Sequence, residues 1–479
     1  MSVYLFWFAT IVFFGTYIAI ATEKFHKTTV ALAGAMMMFF VILEGPSHSE
    51  IDHSKPTITE VISQSVMGKE YHNQVSNVIE KAETYDRLNG FSRYVDFDVI
   101  FTLAGMMLLV NILSGTGVFQ YIAIKCAKYS RGSPIRTMIL LVLATAILSA
   151  FLDNVTTVLL IAPVTLLVAA ELDVNPIPFL MAETMSSNIG GSATLIGDPP
   201  NLIIGSYAGL NFSQFLINLS PFIIIVLIIY CIALYLHYGK KMEVNVEKRA
   251  RIMELDENAA ITDVDNMRRG GAVMIITIIG FLLHGALHLQ PSVVAMGGAT
   301  LALVICKIDV DHQLEKIEWS TLFFFMGLFI VVNGAQQAGL MDEFGKLLAF
   351  TKSWHPLLTI LVVMWVSGIA AAVTNNVSFT AAIVSVIGAF LAAQDNIMFT
   401  GNTDLKELMW WGLALAVCLG GNGTIVGAAA NLVTAGVAEK SGIKITFKEF
   451  LRYGVPVTLG SLVLASIYIV ARFYVEIKI

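Results

Sequence analysis

Apolar residues run along this chain in blocks long enough to cross a bilayer's hydrocarbon, which takes about 20 residues of helix. The polar positions gather between the blocks. Spans are expected near 3–22, 27–43, 97–124, 177–209 and 214–238, and again near 271–288, 292–306, 319–340, 405–437 and 454–472. Two further blocks, 135–170 and 355–393, are too long for one helix, and each is broken by a polar knot, "DNVTT" at 153–157 and "NNVSF" at 375–379. Backbone freed inside a bilayer finds no water to bond, so the knots mark re-entrant hairpins whose tips stop within the membrane. The opening run "VYLFWFATIVFFGTYIAIA" lacks a basic leading segment and a small-residue cleavage pattern, so it is expected to be a retained first helix.

The two halves repeat. "LAGMMLLVNILSGTGVF" (103–119) lies over "FFMGLFIVVNGAQQAGLM" (324–341), with Gly105 over Gly327, Asn111 over Asn333 and Gly117 over Gly339. The same alignment lays Asp153-Asn154 over Asn375-Asn376, and further on "NIGGSATLIGDPPNL" (188–202) matches "CLGGNGTIVGAAANL" (418–432). Each half holds an odd number of full crossings and a hairpin that returns to its own side, so the second half is expected to enter the membrane upside down. The expected fold is an all-α integral membrane protein of two inverted repeats, five transmembrane helices each, with re-entrant hairpins and broken helices. That is the plan of alternating-access transporters. The first repeat would span 1–239, with an external insertion at 45–96; a cytoplasmic linker at 240–270 leads to the second repeat, 271–479.

Composition sharpens this picture. Of 479 residues, 56% are hydrophobic and 13% charged, more apolar surface than a soluble fold can cover. The net charge of -6 is small and no basic groove for nucleic acid is visible. Basic residues cluster at Lys24 and Lys27, from Lys125 to Arg136, from Lys240 to Arg269 and from Lys440 to Arg452, which puts those loops in the cytoplasm and both termini outside, in the plasma or inner membrane. Cys126, Cys231, Cys306 and Cys418 have no metal-ligand spacing and read as packing residues. No GxxxxGK[ST] loop is present, so the chain is read as neither an enzyme nor an ATP-driven pump, with an ATPase on a partner chain left open. No cofactor is expected beyond a coupling ion.

The chemistry concentrates at the polar knots and helix breaks. Gly190, Gly191 and Gly197 are expected to let the backbone turn and approach a ligand, Pro199 and Pro200 to start the next half-helix, and Asn188, Ser192, Thr194 and Asn201 to supply neutral oxygens and amides. In the second half Gly420, Gly421, Asn422, Thr424 and Asn431 stand in the corresponding places. The break at 186–205 should face the tip at 153–157, and the break at 420–431 the tip at 375–379, so that helix N-termini and freed carbonyls line one central site. The alternative reading is that the glycines only allow close helix packing. Asp153, Glu183 and Asp198 lie at membrane depth without an intramembrane Lys or Arg, and their counterparts are Asn375, Leu413 and Ala428. A carboxylate at the bilayer centre costs about 2.5–3.5 kcal/mol, so these three are candidate proton or cation carriers, with Na+ at Asp153, Asn154 and Asp198. Against that, Glu183 could simply bond a neighbouring helix and Asp198 cap the half-helix after it. His284 and His288 read as interfacial, and Trp410 and Trp411 as part of an aromatic belt.

"FLDNVTTVLLIAPVTL" followed by "NIGGSATLIGDPPNLIIGS" resembles the ion-transporter superfamily, in the branch of arsenite permeases, D-type sodium/proton antiporters and the melanosomal P protein. It is more distantly similar to the divalent anion/sodium symporters. The resemblance implies two inward-pointing hairpins, elevator-like movement and a homodimer. In the symporters, Ser-Asn-Thr motifs at the tips hold Na+ and a substrate carboxylate, which by position implies Asn154, Thr156 and Thr157, and Asn375, Asn376 and Ser378. This chain has Asp153 where the symporters have serine, which weighs against a dicarboxylate. Three readings stay open: a permease coupling Na+ or H+ to a small inorganic or organic anion, a sodium/proton antiporter, and a passive anion channel.

Overall fold

The computed structural model describes residues 3–21, 25–43, 94–239, 242, 246–348, 351, 354–393, 399 and 401–476. Most of the expected insertion at 45–96 therefore lies outside the described residues. Within them the chain is helical without strands, and nine helices are long and apolar enough to cross a membrane. They fall into two compact units, each drawn from both halves of the chain.

The smaller unit joins 1–97 to 320–343. Here α1 (Val3–Ala21) packs on α2 (Lys27–Met38), which runs into a π-helical turn at Phe39–Leu43. Most of α14 (Trp319–Gln337) belongs here. Gly327 lets it approach the backbone of α2, since a Cβ there would sit 2.8 Å from the Ala31 carbonyl carbon. Thr28 Oγ1 donates to Ser320 O at 2.7 Å, and Asn333 Nδ2 to Tyr94 O at 3.1 Å.

The larger unit holds 98–319 and 344–479. It opens with α3 (Phe97–Ser114) and α4 (Val118–Tyr129), where one continuous span over 97–124 was expected. Gly117 at φ +80° breaks it, a left-handed turn that glycine makes at little cost. Next come α5 (Pro134–Phe151), α6 (Asn154–Leu172), α7 (Ile177–Gly191), α8 (Pro199–Ala208) and α9 (Phe212–Tyr238). The linker then folds as α10 (Val246–Glu254) and a 3-10 turn at Asn258–Ala260. It is docked: Lys128 Nζ donates to Glu257 Oε2 at 2.5 Å, Lys248 Nζ to Asp173 Oδ2 at 2.6 Å, and Thr262 N to Thr116 O at 3.0 Å. Then follow α11 (Val264–Leu283), α12 (Pro291–Cys306), α13 (Val310–Glu315) and, beyond α14, α15 (Leu340–Leu348). The order of α5 to α9 then returns as α16 (Pro356–Thr374), α17 (Asn376–Ala392), α18 (Thr403–Gly420), α19 (Ala429–Lys440) and α20 (Phe447–Glu476).

Two helices form the centre of this unit. α7 is buried from Pro178 to Gly191 and α18 from Leu408 to Gly420, and they pack along α5 and α16 respectively. α7 carries Glu183, Thr184, Ser186, Ser187 and Asn188, polar groups that lipid cannot satisfy and that a protein interior can. The half-helices cross between the halves: α8 packs on α17, and α19 on α6. Val158 and Ala162 of α6, Met181 and Met185 of α7, and Ala430 and Ala438 of α19 share one buried cluster. This position corrects the reading of the tryptophans. Trp411 is wholly buried against Phe215, edge to face at 5.0 Å, and Trp410 meets Tyr207, so neither can serve an aromatic belt. His284 is likewise buried rather than interfacial, because its Nε2 accepts from Phe212 N at 3.0 Å at the start of α9. His288 stays exposed.

Candidate functional site

The hairpin tips are made by helix capping. Asp153 caps α6, its carboxylate accepting from Thr156 N at 2.9 Å and from Thr156 Oγ1 at 2.5 Å, while Thr157 Oγ1 donates to Asp153 O at 2.9 Å. Asn375 does the same for α17, accepting from Val377 N at 3.1 Å and Ser378 N at 3.4 Å. It holds φ +84° and ψ 127°, outside the left-handed helical region and strained for a residue with a Cβ. The Asp153 carboxylate is thus engaged within its own tip.

Asp198 is placed differently. It stands at the N-cap of α8, yet its side chain makes no capping bond. The reason lies in the two residues that follow: Pro199 and Pro200 have no N–H to offer, and the N–H of Asn201 goes to the Asp198 backbone carbonyl at 2.9 Å. Its carboxylate is left to face both tips. Asn154 Nδ2 donates to Oδ1 at 3.2 Å, and Asn376 Nδ2 to Oδ2 at 3.2 Å. Asp198 is fully buried, with Asn154 and Asn376 almost so. No ion pair found among the described residues involves Asp153, Glu183 or Asp198. Instead three helices, α6, α8 and α17, begin at or beside this carboxylate, and their N-termini carry partial positive charge toward it.

Around Asp198 the two breaks form matching clamps. Asn201 Nδ2 donates to Thr194 O at 2.8 Å, and Asn431 Nδ2 donates to Thr424 O and Gly421 O, both at 2.8 Å, closing the gap between each helix and its half-helix. Thr194 Oγ1 bonds Ala150 O and Thr424 Oγ1 bonds Ala372 O, each pinning a break to its hairpin. Asn376 N donates to Gly427 O at 2.8 Å, tying the second tip to its break. The clamps meet through Asn188, whose Nδ2 donates to Asn431 Oδ1 at 3.0 Å and to Asn422 Oδ1 at 2.8 Å, while its Oδ1 accepts from Asn154 Nδ2 at 3.0 Å. Ser192 Oγ bonds back to Asn188 O at 2.7 Å. Ser378 Oγ, two residues after Asn376, is buried without a hydrogen-bond partner.

Two expectations change here. None of Gly190, Gly191, Gly197, Gly420 and Gly421 adopts positive φ. Their role is close approach: a Cβ on Gly191 would lie 2.6 Å from Gly197 O, and one on Gly190 would run into the backbone of Ala146. Cys418 is more than a packing residue, since its Sγ donates to Asn201 Oδ1 at 3.3 Å as Asn188 does to Asn431. Its alignment over Asn188 in the repeat is the signal that could have found it. Ser149 and Ser187 were also missed; Ser149 Oγ donates to Ser187 O at 2.8 Å, and Ser187 Oγ to Asn154 O at 3.2 Å. Glu183 lies outside the cluster, accepting from Thr165 Oγ1 of α6 at 2.6 Å. Among the described residues no three or more His, Cys, Asp and Glu side chains gather where they could share a metal ion.

A helical, multi-pass integral membrane protein with a buried polar cluster at two interrupted helices is a transporter by architecture. The comparisons with known proteins agree. Residues 17–416 match the citrate transporter family, CitMHS, and the chain belongs to it. It is 38% identical over 467 residues, 98% of each chain, to an uncharacterised transporter, Rv2684, of Mycobacterium tuberculosis. A 46 kDa membrane protein of Mycobacterium leprae is also 38% identical over 467 residues, 98% of this chain and 99% of that protein. The P protein of Sus scrofa is 30% identical over 544 residues, taking in 98% of this chain and 59% of that protein. The crystal structure of the Alcanivorax borkumensis YdaH transporter superposes over 98% of this chain and 99% of its own, with a TM-score of 0.56 at 13% identity, a likeness of fold.

Proposed function

We propose that this chain is a secondary active transporter that couples H+ or Na+ to the movement of a small anion, by alternating access between two repeats of opposite orientation. One observation carries the reading: Asp198 is a buried carboxylate held between the tip amides of both halves, with no base beside it. A carboxylate in that position can take up a proton or a monovalent cation, and doing so removes a charge that would repel an anion. The Ser378 hydroxyl, buried without a partner among the described residues, then offers the anion a donor, and the N-termini of α6, α8 and α17 attract it through their partial positive charge. Loading the cation first and the anion second is coupling. The family's name makes citrate the first anion to test.

Sodium/proton antiport is the second reading, favoured by the same lone carboxylate, which needs no anion to exchange one cation for another. The test reads internal pH and Na+ in proteoliposomes while candidate carboxylates and oxyanions are added one at a time. Cation entry that follows an anion supports symport. Exchange of Na+ for H+ with no anion present supports antiport, and anion flux that moves neither cation would refute both.

A further inference from the structure

A cavity of about 950 Å³ opens between α9 and α20, lined by none of the polar cluster's side chains but backed by Ile189, the neighbour of Asn188. That volume lies at the upper end of small-ligand pockets, roughly 300–1,000 Å³. Its walls along the shaft, from Val226 to Leu234 on α9 and from Val457 to Leu464 on α20, are mostly aliphatic, with Tyr230 and Ser461 the exceptions. They grade from exposed rim residues such as Ile229 and Val463 to a buried floor at Leu234 and Ile189. One end differs: there the lining includes Glu449 and Arg452 on the first turns of α20 and His237 on α9, with Tyr238 and Tyr453 beside them. From Val226 to Tyr238 the groove follows α9 for about 18 Å at 1.5 Å per residue. One leaflet's acyl chains fill about half of a 30 Å core, roughly 15 Å.

We infer that this groove is a binding site for one zwitterionic phospholipid, an aminophospholipid of the ethanolamine type, with its phosphate on Arg452, its ammonium on Glu449 and an acyl chain laid along the shaft to Ile189. Charge complementarity selects this occupant. Arg452 alone would suit any phosphate, but Glu449 on the same rim repels a purely anionic headgroup and pairs with a primary ammonium. A quaternary ammonium has no N–H to give that carboxylate, so a choline headgroup loses the second contact. Chance annular lipid would lie on a convex helical surface and exchange freely, whereas this chain would enter a concave site with a buried floor.

Gly460 provides a clean test, because it lines the cavity and a Cβ there meets nothing within 4 Å. Gly460→Phe therefore fills the groove without straining the backbone. The full-length protein is purified in mild detergent, supplied with phosphatidylethanolamine, phosphatidylglycerol or phosphatidylcholine, and retention is read by native mass spectrometry. Expected is one phosphatidylethanolamine retained per chain, its affinity lowered by about tenfold or more in Gly460→Phe and in Arg452→Gln. Glu449→Gln should abolish the preference for phosphatidylethanolamine over phosphatidylglycerol. Equal retention of all three lipids, or retention that Gly460→Phe leaves unchanged, means annular lipid only and overturns the site. Thermal unfolding of each variant, expected near wild type, separates loss of the lipid from loss of the fold.

Discussion

Replacing Asp198 by asparagine removes a charge and a titration while keeping the side chain's shape, and the surroundings say what that change should cost. The carboxylate now accepts two charge-assisted hydrogen bonds, from Asn154 and Asn376; bonds of that kind contribute about 1.5–3 kcal/mol each, against about 0.5–1.5 for neutral ones. In Asp198→Asn the oxygen still serves Asn154, and a flip of the Asn376 amide turns the new donor–donor clash into a neutral bond. Exchanging two charged bonds for two neutral ones, a loss of about 2–3 kcal/mol, is offset by not burying a charge, whose desolvation is of the same order in a real protein. Stability should therefore stay within about 1–2 kcal/mol of wild type. Coupling should not survive. A tenfold gradient of one coupling cation is worth about 1.4 kcal/mol and can hold a tenfold substrate gradient per cation moved. In proteoliposomes at zero voltage the wild type should approach that ratio, and Asp198→Asn should settle at equal concentrations inside and out. A variant that still concentrates substrate, with its dependence on pH and Na+ unchanged, refutes the assignment of Asp198.

Further expectations follow from the same geometry. Asn154→Ala and Asn376→Ala should each abolish transport with near-normal expression, because each removes one of the two amides on Asp198; a variant with wild-type rate and affinity would show that tip to be structural. Gly197→Ala should destabilise the fold by about 1–3 kcal/mol or more, since its Cβ would meet two carbonyl oxygens, Gly191 O at 2.6 Å and Ser149 O at 2.7 Å, that cannot move aside; normal thermal unfolding would contradict this. The hydrogen bond from Lys128 holds the Glu257 carboxyl below its usual range, so the linker's docking is intact above the ordinary glutamate value of about 4.3 and weakens only as pH falls through the lowered one. The pH dependence of transport above about pH 5 should therefore be the same in Glu257→Gln as in wild type. Impermeant labelling of single cysteines should reach positions 248 and 444 from the cytoplasm and 69 and 352 from outside; labelling of 248 and 69 from the same side would end the inverted-repeat reading.

The frame of this protein was legible because polar knots in apolar runs have few physical meanings. Asn154, Asn376 and the paired glycine-rich breaks could be placed opposite one another from the repeat alone. The ranking of the carboxylates was harder. Asp153 and Asp198 both sit just before a helix start, and both are candidates on sequence alone. The difference lay in the next three residues: "DNVT" offers an N–H and a hydroxyl at Thr156 to cap, whereas "DPPN" offers almost none, so Asp198 is released into the site. Cys418 was passed over because a thiol among aliphatic residues looks like packing until its partner, Asn201 from the other half, is brought next to it. Trp411 misled for the opposite reason: a tryptophan pair near the start of an apolar run suits a membrane edge, and only the central position of α18 buries it. The linker's docking depends on contacts between segments distant in sequence, such as Thr262 with Thr116, which no local pattern encodes.

The central claim is that a gradient of H+ or of Na+ does work on an anion in this chain. It is tested by uptake into proteoliposomes containing the purified protein alone, with voltage clamped and each cation gradient imposed in turn. One of the two gradients should drive the anion transiently above its external concentration, and collapsing that gradient with an ionophore should return it to equality. Uptake that only ever equilibrates, at the same rate under either gradient and under none, would mark a passive pathway and contradict the account.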